Sequence, residues 1–146
     1  MKRTSRRIRL CTALLIALLV FIWGNSLMPG EVSQTISNWV QRILFGTKPS
    51  TGGIPIGNGL LRKAAHFTEF LGLGMTLCWL FAMLRKGWKP TLLTGFAAAW
   101  IDETIQAFVP ERAPRLLDVG IDSLGVVTGM LLLMLGHTYW KRRSAR

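Results

Sequence analysis

The sequence predicts an all-α protein that spans a membrane four times. Half of its 146 residues are apolar, and only 17% are charged. The apolar residues form runs long enough to cross a bilayer, whose hydrocarbon core of about 30 Å needs roughly 20 helical residues. We place four transmembrane helices at about residues 8–28, 61–84, 90–109 and 116–140, within a single domain that covers residues 1–146.

The positions of the basic residues predict the orientation. The chain has 18 Lys and Arg and a net charge of +11, and 12 of the 18 lie in short segments that flank the spans on one side. Because Lys and Arg are enriched in short cytoplasmic flanks, both termini are expected in the cytoplasm. This placement indicates topology signals, so we expect no nucleic-acid partner. A cleaved signal peptide is an alternative for the first span, since Gly24-Asn25-Ser26 resembles a weak cleavage pattern.

The one long connection, residues 29–60, lies on the extracytoplasmic side in this topology. Pro29-Gly30 breaks the first helix, and apolar residues then recur near helical spacing at Val32, Ile36, Trp39, Val40, Ile43 and Leu44. This pattern predicts a short amphipathic helix that lies on the outer membrane surface or packs over the bundle, with a partner-binding surface as the alternative. Residues 47–59 are rich in Gly, Pro, Ser and Thr and predict a loop.

Ionisable side chains inside the predicted spans mark a candidate site. A charged residue at the centre of a membrane helix costs about 2.5 to 3.5 kcal/mol on insertion scales, so such residues are functional candidates by default. At about 1.5 Å per residue, these side chains all lie within about 12 Å of the outer ends of their helices. They are His66 and Glu69 in the second span, Asp102, Glu103 and Gln106 in the third, and Asp118 and Asp122 in the fourth.

Helical spacing places most of these residues on stripes that continue into small residues, such as Gly125 and Gly129. The stripes consist of Arg62, His66 and Glu69 in the second helix, Asp102 and Gln106 in the third, and Asp118 and Asp122 in the fourth. Because small residues let helices approach closely, we expect the three helices to enclose one acidic pocket that contains a histidine. It would open to the outer surface, with Arg112 and Arg115 above it.

These residue types indicate chemistry on a phosphate. A histidine flanked by carboxylates can act as a general acid or base, or as a nucleophile. Arginine binds phosphate through two parallel hydrogen bonds, and carboxylates beside a phosphate suit a divalent cation with oxygen ligands. At the depth of the lipid head groups, such a pocket would meet a lipid phosphate first.

Two stretches resemble the VanZ-like membrane proteins: R-K-x-x-H-F-x-E-F, and D-E-x-x-Q-x-F-x-P-x-R-x-x-x-x-x-D-V-x-x-D-x-x-G. The motif positions here are Arg62, Lys63, His66, Phe67, Glu69, Phe70, Asp102, Glu103, Gln106, Phe108, Pro110, Arg112, Asp118, Val119, Asp122 and Gly125. The match covers residues 61–129 and departs at Phe70, where the family often has Tyr. The resemblance implies a small multi-pass protein of the bacterial cytoplasmic membrane. The family is named after a determinant of teicoplanin resistance and is grouped with enzymes that act on lipid head groups, including those of lipid-linked cell-envelope precursors.

The sequence thus predicts a protein that hydrolyses or exchanges the phosphate head group of such a lipid. Candidate catalytic residues are His66, Glu69, Asp102, Glu103 and Asp122, and candidate substrate-binding residues are Arg62, Lys63, Gln106, Arg112, Arg115 and Asp118. A divalent cation would fit as a cofactor, while the metal requirement and the oligomeric state stay open. The alternatives are a non-catalytic protein that binds a lipid or glycan and, less favoured, a proton-coupled transporter.

Overall fold

A computed structural model describes residues 2–46, 56–112 and 115–144, and every regular element in these ranges is an α-helix. The helices are α1 (Lys2–Ser26), α2 (Gly30–Phe45), α3 (Ile56–Met83), α4 (Lys89–Ala107) and α5 (Leu116–Ser144). The predicted all-α class is therefore confirmed.

Three helices of the described ranges are long and apolar enough to cross a membrane. The candidate spans are Thr4–Ser26, Gly59–Met83 and Leu116–Tyr139, which correspond to the predicted first, second and fourth spans. The helix α4 is not among them, because its 19 residues include Asp102 and Glu103, which lower its mean hydropathy. The crossing at 90–109 and the orientation of the chain stay predictions.

The connection between the first two spans contains more helix than the sequence predicts. The expected short helix is α2, which begins after Pro29 and ends at Gly46, whose φ of 63° forms a left-handed cap. The predicted loop over residues 47–59 is wrong at its end, since α3 already begins at Ile56. Gly57 and Gly59 lie within α3, and a glycine costs a helix only about 1 kcal/mol, which a long helix tolerates. Residues 47–55 lie outside the described part of the chain.

Helices α1 and α3 run in opposite directions. Near the start of α1, the Sγ atom of Cys11 lies 3.6 Å from the carbonyl oxygen of Thr76, late in α3. Near the end of α1, Nδ2 of Asn25 donates a hydrogen bond of 2.9 Å to Oε1 of Glu69, nearer the start of α3. The C-terminal end of α1 and the N-terminal half of α3 therefore share one end of the bundle.

Helices α3 and α5 run in the same direction and touch backbone to backbone. A Cβ atom on Gly125 would lie 2.6 Å from the carbonyl oxygen of Phe67, and one on Gly129 would lie 2.1 Å from that of Leu71. Real Cβ atoms essentially never come within 3.0 Å of such atoms, so only glycine permits this approach. The predicted close packing at the G-x-x-x-G stripe is confirmed, and the stripe faces a helix of the same chain.

The core lies where α1, α3, α4 and α5 meet. Its fully or nearly buried apolar residues are Ile22, Phe70, Leu73, Leu77, Ala98, Ala99, Val119 and Val126. The outward faces of the helices expose many large apolar side chains, among them Leu93 at 73% and Leu135 at 66%. Soluble monomers rarely expose such extensive apolar area, so this surface suits contact with lipid and indicates a membrane protein.

Substitution of Gly129 by alanine should separate α3 from α5. The new methyl group overlaps the backbone of α3, which cannot rotate away, so we expect the free energy of unfolding in detergent to fall by about 1–3 kcal/mol. Gly136→Ala in the same helix is the matched control, because a Cβ atom there meets nothing within 4 Å. If Gly129→Ala were as stable as Gly136→Ala, the backbone contact between α3 and α5 would be absent in the protein.

Candidate functional site

The polar residues gather at the end of the bundle where α1 and α4 end and α3 and α5 begin. The buried face of α4 consists of Thr91, Gly95, Ala98, Ala99, Asp102, Glu103 and Gln106. Along α4, this buried face thus changes from small residues to acidic and amide ones, as the sequence pattern predicts. The parallel packing of α3 on α5 brings the polar starts of these two helices to the same level.

His66 lies between two fully buried aspartates at the centre of this end. Its Nδ1 atom is 3.5 Å from Oδ1 of Asp122 and 3.8 Å from Oδ2 of Asp102. Both aspartate side chains have 0% exposure, and that of His66 has 14%. One ligand atom from each of the three residues lies within 4.8 Å of the others, so this group could hold a metal ion. The structure thus brings one residue from each of α3, α4 and α5 together.

The carboxylate of Asp102 is held by a buried amide. Nε2 of Gln106 donates hydrogen bonds of 2.8 Å to Oδ2 of Asp102 and 3.2 Å to Oγ of Ser26. The other oxygen of Asp102 and both oxygens of Asp122 are buried and have no hydrogen-bond partner. The side-chain amide of Gln106 therefore contacts an aspartate and α1, and its predicted role in binding substrate stays a prediction.

The end of α1 contributes to the site, which sequence reasoning missed. Asn25 donates its side-chain amide to Glu69 and accepts, at its backbone carbonyl, a hydrogen bond of 3.0 Å from Nη2 of Arg112. Ser26 is 1% exposed and accepts the hydrogen bond from Gln106. In the sequence, Asn25 and Ser26 belong to a weak cleavage pattern. Two hydrogen-bonding side chains at the C-terminal end of an apolar span, level with the acidic residues, are the signal for their role.

A cavity of about 200 Å³ lies beside His66. Its polar lining from α1, α3 and the loop after α4 consists of Asn25, Arg62, His66, Glu69 and Arg112. One face of α2 closes it with Ser33, Ile36, Ser37 and Val40. The sequence predicts that α2 lies on the membrane surface or over the bundle, and the structure places it over the bundle. Its contribution to the cavity was not predicted.

Two arginines, Arg62 and Arg112, line this cavity, and Arg112 has an N–H group without a hydrogen-bond partner. Arg62 lies 3.8 Å from a carboxylate oxygen of Asp118. Nε of Arg112 is buried and has no hydrogen-bond partner. Burial lowers the pKa of the Arg112 guanidinium, and the positive charge of Arg62 lowers it further, although a guanidinium stays protonated in proteins. Two adjacent positive groups at a cavity wall favour an anionic ligand.

The remaining predicted residues lie around the cavity without lining it. Glu103 is 5% exposed and accepts a hydrogen bond from the backbone N–H of Arg115 at its Oε1 atom. Arg115 itself is exposed, and Lys63 is half-buried. Asp118 is 7% exposed and faces Arg62. The contact between Glu103 and Arg115 holds the loop after α4. The predicted roles of Glu103, Arg115, Lys63 and Asp118 in catalysis or substrate binding stay predictions.

The comparison with known proteins identifies a family. The family model described as VanZ/LLP1 matches residues 11–137. This range includes every candidate residue named above, and also Asn25 and Ser26 of α1. Searches of the curated proteins and of the solved structures gave no significant match.

Replacement of Gln106 by leucine should destabilise the folded chain, because it removes the hydrogen bond that Gln106 donates to the buried Asp102. A buried carboxylate oxygen then loses its donor, and we expect the free energy of unfolding in detergent to fall by about 1–3 kcal/mol. In the double variant Gln106→Leu/Asp102→Leu both partners are apolar, so the loss should be smaller than the sum of the two single losses. Thr104→Ala on the exposed face of α4 is the control and should stay near wild type. Strictly additive losses would show that the two side chains do not interact.

Proposed function

This chain belongs to the VanZ/LLP1 family, and we propose that it acts on the phosphate-linked head group of a membrane lipid or of a lipid-linked cell-envelope precursor. The reaction is hydrolysis or exchange of the head group. One observation carries the proposal: His66 contacts two buried carboxylates and also lines a cavity whose wall contains Arg62 and Arg112. A base and an anion-binding surface therefore meet at one cavity.

The directions of the helices support a fourth membrane crossing by α4. Both α3 and α5 contain candidate spans and run parallel, so the chain has to return across the membrane between them. The 19 residues of α4 extend about 28 Å, which is close to the thickness of the hydrocarbon core. Its acidic residues face the bundle, whereas Leu93, Phe96 and Trp100 are exposed on the outside. Mean hydropathy combines these two faces and so underestimates how apolar the outer one is.

With four crossings, the distribution of Lys and Arg places both termini in the cytoplasm. The site end of the bundle then faces the extracytoplasmic side of the bacterial cytoplasmic membrane. Since the start of α5 and the end of α4 lie at this end, the cavity is at the level of the outer lipid head groups. A lipid could therefore present its phosphate to the cavity while its acyl chains stay in the bilayer.

The two arginines provide the phosphate-binding surface in this proposal. A guanidinium donates two parallel hydrogen bonds to phosphate oxygens, and the contact is stronger where water is excluded. Arg112 has a buried Nε–H group that is available for such a bond. Lys63, Arg115 and Asp118 would contact the rest of the head group in this proposal.

His66 would act as the general base. Its Nδ1 atom faces the aspartates, which leaves Nε2 for proton transfer. In hydrolysis, Nε2 takes a proton from water, the water oxygen bonds to phosphorus, the phosphorus–oxygen bond to the leaving group breaks, and the proton passes to the leaving oxygen. In exchange, an alcohol takes the place of water. Asp102 and Asp122 stabilise the positive charge that His66 acquires, while Glu69 is oriented by Asn25 at the edge of the cavity.

A second function is binding without reaction, which the unpartnered Nε–H group of Arg112 also favours. The cavity would then hold an anionic lipid or a lipid-linked glycan and change the access of an antibiotic to the envelope. In that case the co-purified lipid stays chemically unchanged. Replacement of Arg112 would then weaken lipid retention more than replacement of His66.

His66→Ala should abolish the conversion of lipid substrates. Positioned acid–base groups contribute about 10²- to 10⁴-fold, so we expect the rate to fall by at least about 100-fold. Purified protein is incubated with labelled phospholipids and polyprenyl-phosphate-linked precursors, with and without divalent cations, and the products are separated by chromatography. The control is His137→Ala, which changes the other histidine of the chain, about 22 Å further along α5 than Asp122. If wild type and His66→Ala convert equally little across the whole panel, catalysis is excluded and the binding function remains.

Expression of the chain should raise the minimum inhibitory concentration of teicoplanin in a susceptible Gram-positive host, because the protein changes envelope lipids that the antibiotic depends on. The effect is measured by broth dilution, with expression levels matched by immunoblot. We expect His66→Ala and Arg112→Gln to abolish the increase and His137→Ala to retain it. If His66→Ala protects as well as wild type while Arg112→Gln does not, the binding function is favoured over catalysis.

A further inference from the structure

We propose that His66, Asp102 and Asp122 form a binding site for one divalent transition-metal ion, Mn²⁺ or Zn²⁺. This inference goes beyond the proposed function and replaces one step of it. An imidazole whose Nδ1 binds a metal keeps its proton on Nε2, so a water bound to the ion, in place of one activated by His66, would then supply the nucleophile. The proposed metal site rests on three observations: unpartnered buried oxygens, the spacing of the three side chains, and a hydrogen bond that orients one of them.

The first observation is a surplus of buried negative charge without partners. The side chains of Asp102 and Asp122 are 0% exposed, and three of their four carboxylate oxygens have no hydrogen-bond partner. Within the described ranges, no Lys or Arg nitrogen lies within 4.0 Å of either carboxylate; His66 is the ionic partner within that distance, and Arg112 acts on Asp102 from further away. A buried carboxylate without hydrogen bonds or a counter-ion is strongly unfavourable. A divalent cation would neutralise both aspartates at once.

The second observation is the spacing of the ligand atoms. Nδ1 of His66 lies 3.5 Å from Asp122 and 3.8 Å from Asp102, which is longer than a hydrogen bond of about 2.7–3.2 Å. The imidazole is therefore not bonded directly to either aspartate. Two ligands bound to one ion at about 2.1 Å are about 3.4 Å apart in tetrahedral geometry. The two distances from His66 are close to this separation, and the ligand atoms of all three residues lie within 4.8 Å of one another.

The third observation is the support of Asp102. Ligating carboxylates are commonly held by hydrogen bonds from a second layer of residues, which fix the oxygen that faces the metal. Gln106 bonds Oδ2 of Asp102 and is itself bonded to Ser26, so Asp102 is anchored from α4 and α1 together. This arrangement leaves Oδ1 of Asp102 without a partner. Asp122 has no such anchor, and both of its oxygens are available.

The donor set selects the class of ion. Mg²⁺ and Ca²⁺ prefer oxygen ligands throughout, whereas an imidazole nitrogen favours a transition metal. Two carboxylates and one imidazole therefore suit Mn²⁺ or Zn²⁺ better than Mg²⁺ or Ca²⁺. The three protein ligands leave at least one coordination position for water or for a phosphate oxygen in the adjoining cavity. An ion at this position would polarise a phosphate that the arginines hold.

Metal binding is tested on the full chain without any lipid substrate. The protein is purified in detergent, freed of metal with a chelator, and titrated with Mn²⁺ or Zn²⁺ by calorimetry and, for Mn²⁺, by electron paramagnetic resonance. We expect one ion per chain, and affinity for Mg²⁺ and Ca²⁺ at least about tenfold weaker. Asp122→Asn and His66→Ala should each weaken the binding by at least about tenfold.

The matched control is Asp118→Asn, the same substitution about one turn earlier in α5, which should bind the ion as wild type does. Thermal unfolding of each variant without metal shows whether it folds, and the added ion should raise the melting temperature of wild type and Asp118→Asn only. Should Asp122→Asn fail to fold, His66→Ala provides the same comparison.

Two results would overturn the metal site: no binding by wild type, or equal weakening by Asp118→Asn and Asp122→Asn, which would indicate non-specific attraction to acidic groups. Lipid conversion by a wild type that binds no metal would overturn this inference and leave the proposed function intact. Stoichiometric metal binding without lipid conversion would support the metal site and contradict the proposed catalytic function.

Discussion

The backbone contact between α3 and α5 determines the geometry of the rest of the molecule. Gly125 and Gly129 allow the two helices to touch where any larger residue would collide with the carbonyl oxygens of α3. Two helices this close and parallel hold their side chains at a fixed register, so His66 and Asp122 meet above the contact. The parallel directions also require the intervening segment to return along the bundle, which brings Asp102 of α4 to the same end. Packing of small residues thus assembles a polar centre from three separate helices.

The polar centre in turn gives this end of the bundle much of its specific side-chain hydrogen bonding. Gln106 joins α4 to α1 through Ser26 and to its own Asp102, and Asn25 joins α1 to α3 and to the loop after α4. In a bilayer, apolar side chains gain little from leaving lipid for protein, so such hydrogen bonds and close packing are the forces that select one arrangement of helices. The residues proposed for function therefore also stabilise the fold, which is why stability has to be measured beside activity in every variant.

The sequence predicts the position of each residue along the bundle better than it predicts which residues lie beside it. Hydropathy locates α1, α3 and α5, and the rise per residue places His66, Asp102 and Asp122 at one level, where the structure has them in contact. Which helices lie side by side depends on packing around the bundle axis, and no periodicity encodes that order. The participation of α1 and the position of α2 over the cavity were missed for this reason. Composition does not reveal the early start of α3, since the run rich in Gly, Pro, Ser and Thr over residues 47–59 continues past Ile56.

The position of α2 leaves an apolar surface exposed beside the cavity. One side of α2 lines the cavity with Ser33 and Ser37, while an adjoining side exposes Val32, Trp39 and Ile43. These apolar side chains are suited to an interface, where the bilayer itself would hold the helix down over the bundle. The thickness, curvature and charge of the host membrane would then adjust how tightly the cavity is covered. Nanodiscs of defined lipid composition are accordingly a better setting than micelles for experiments on the cavity. Several lipid compositions are needed, because each one reports the position of α2 in a single type of membrane.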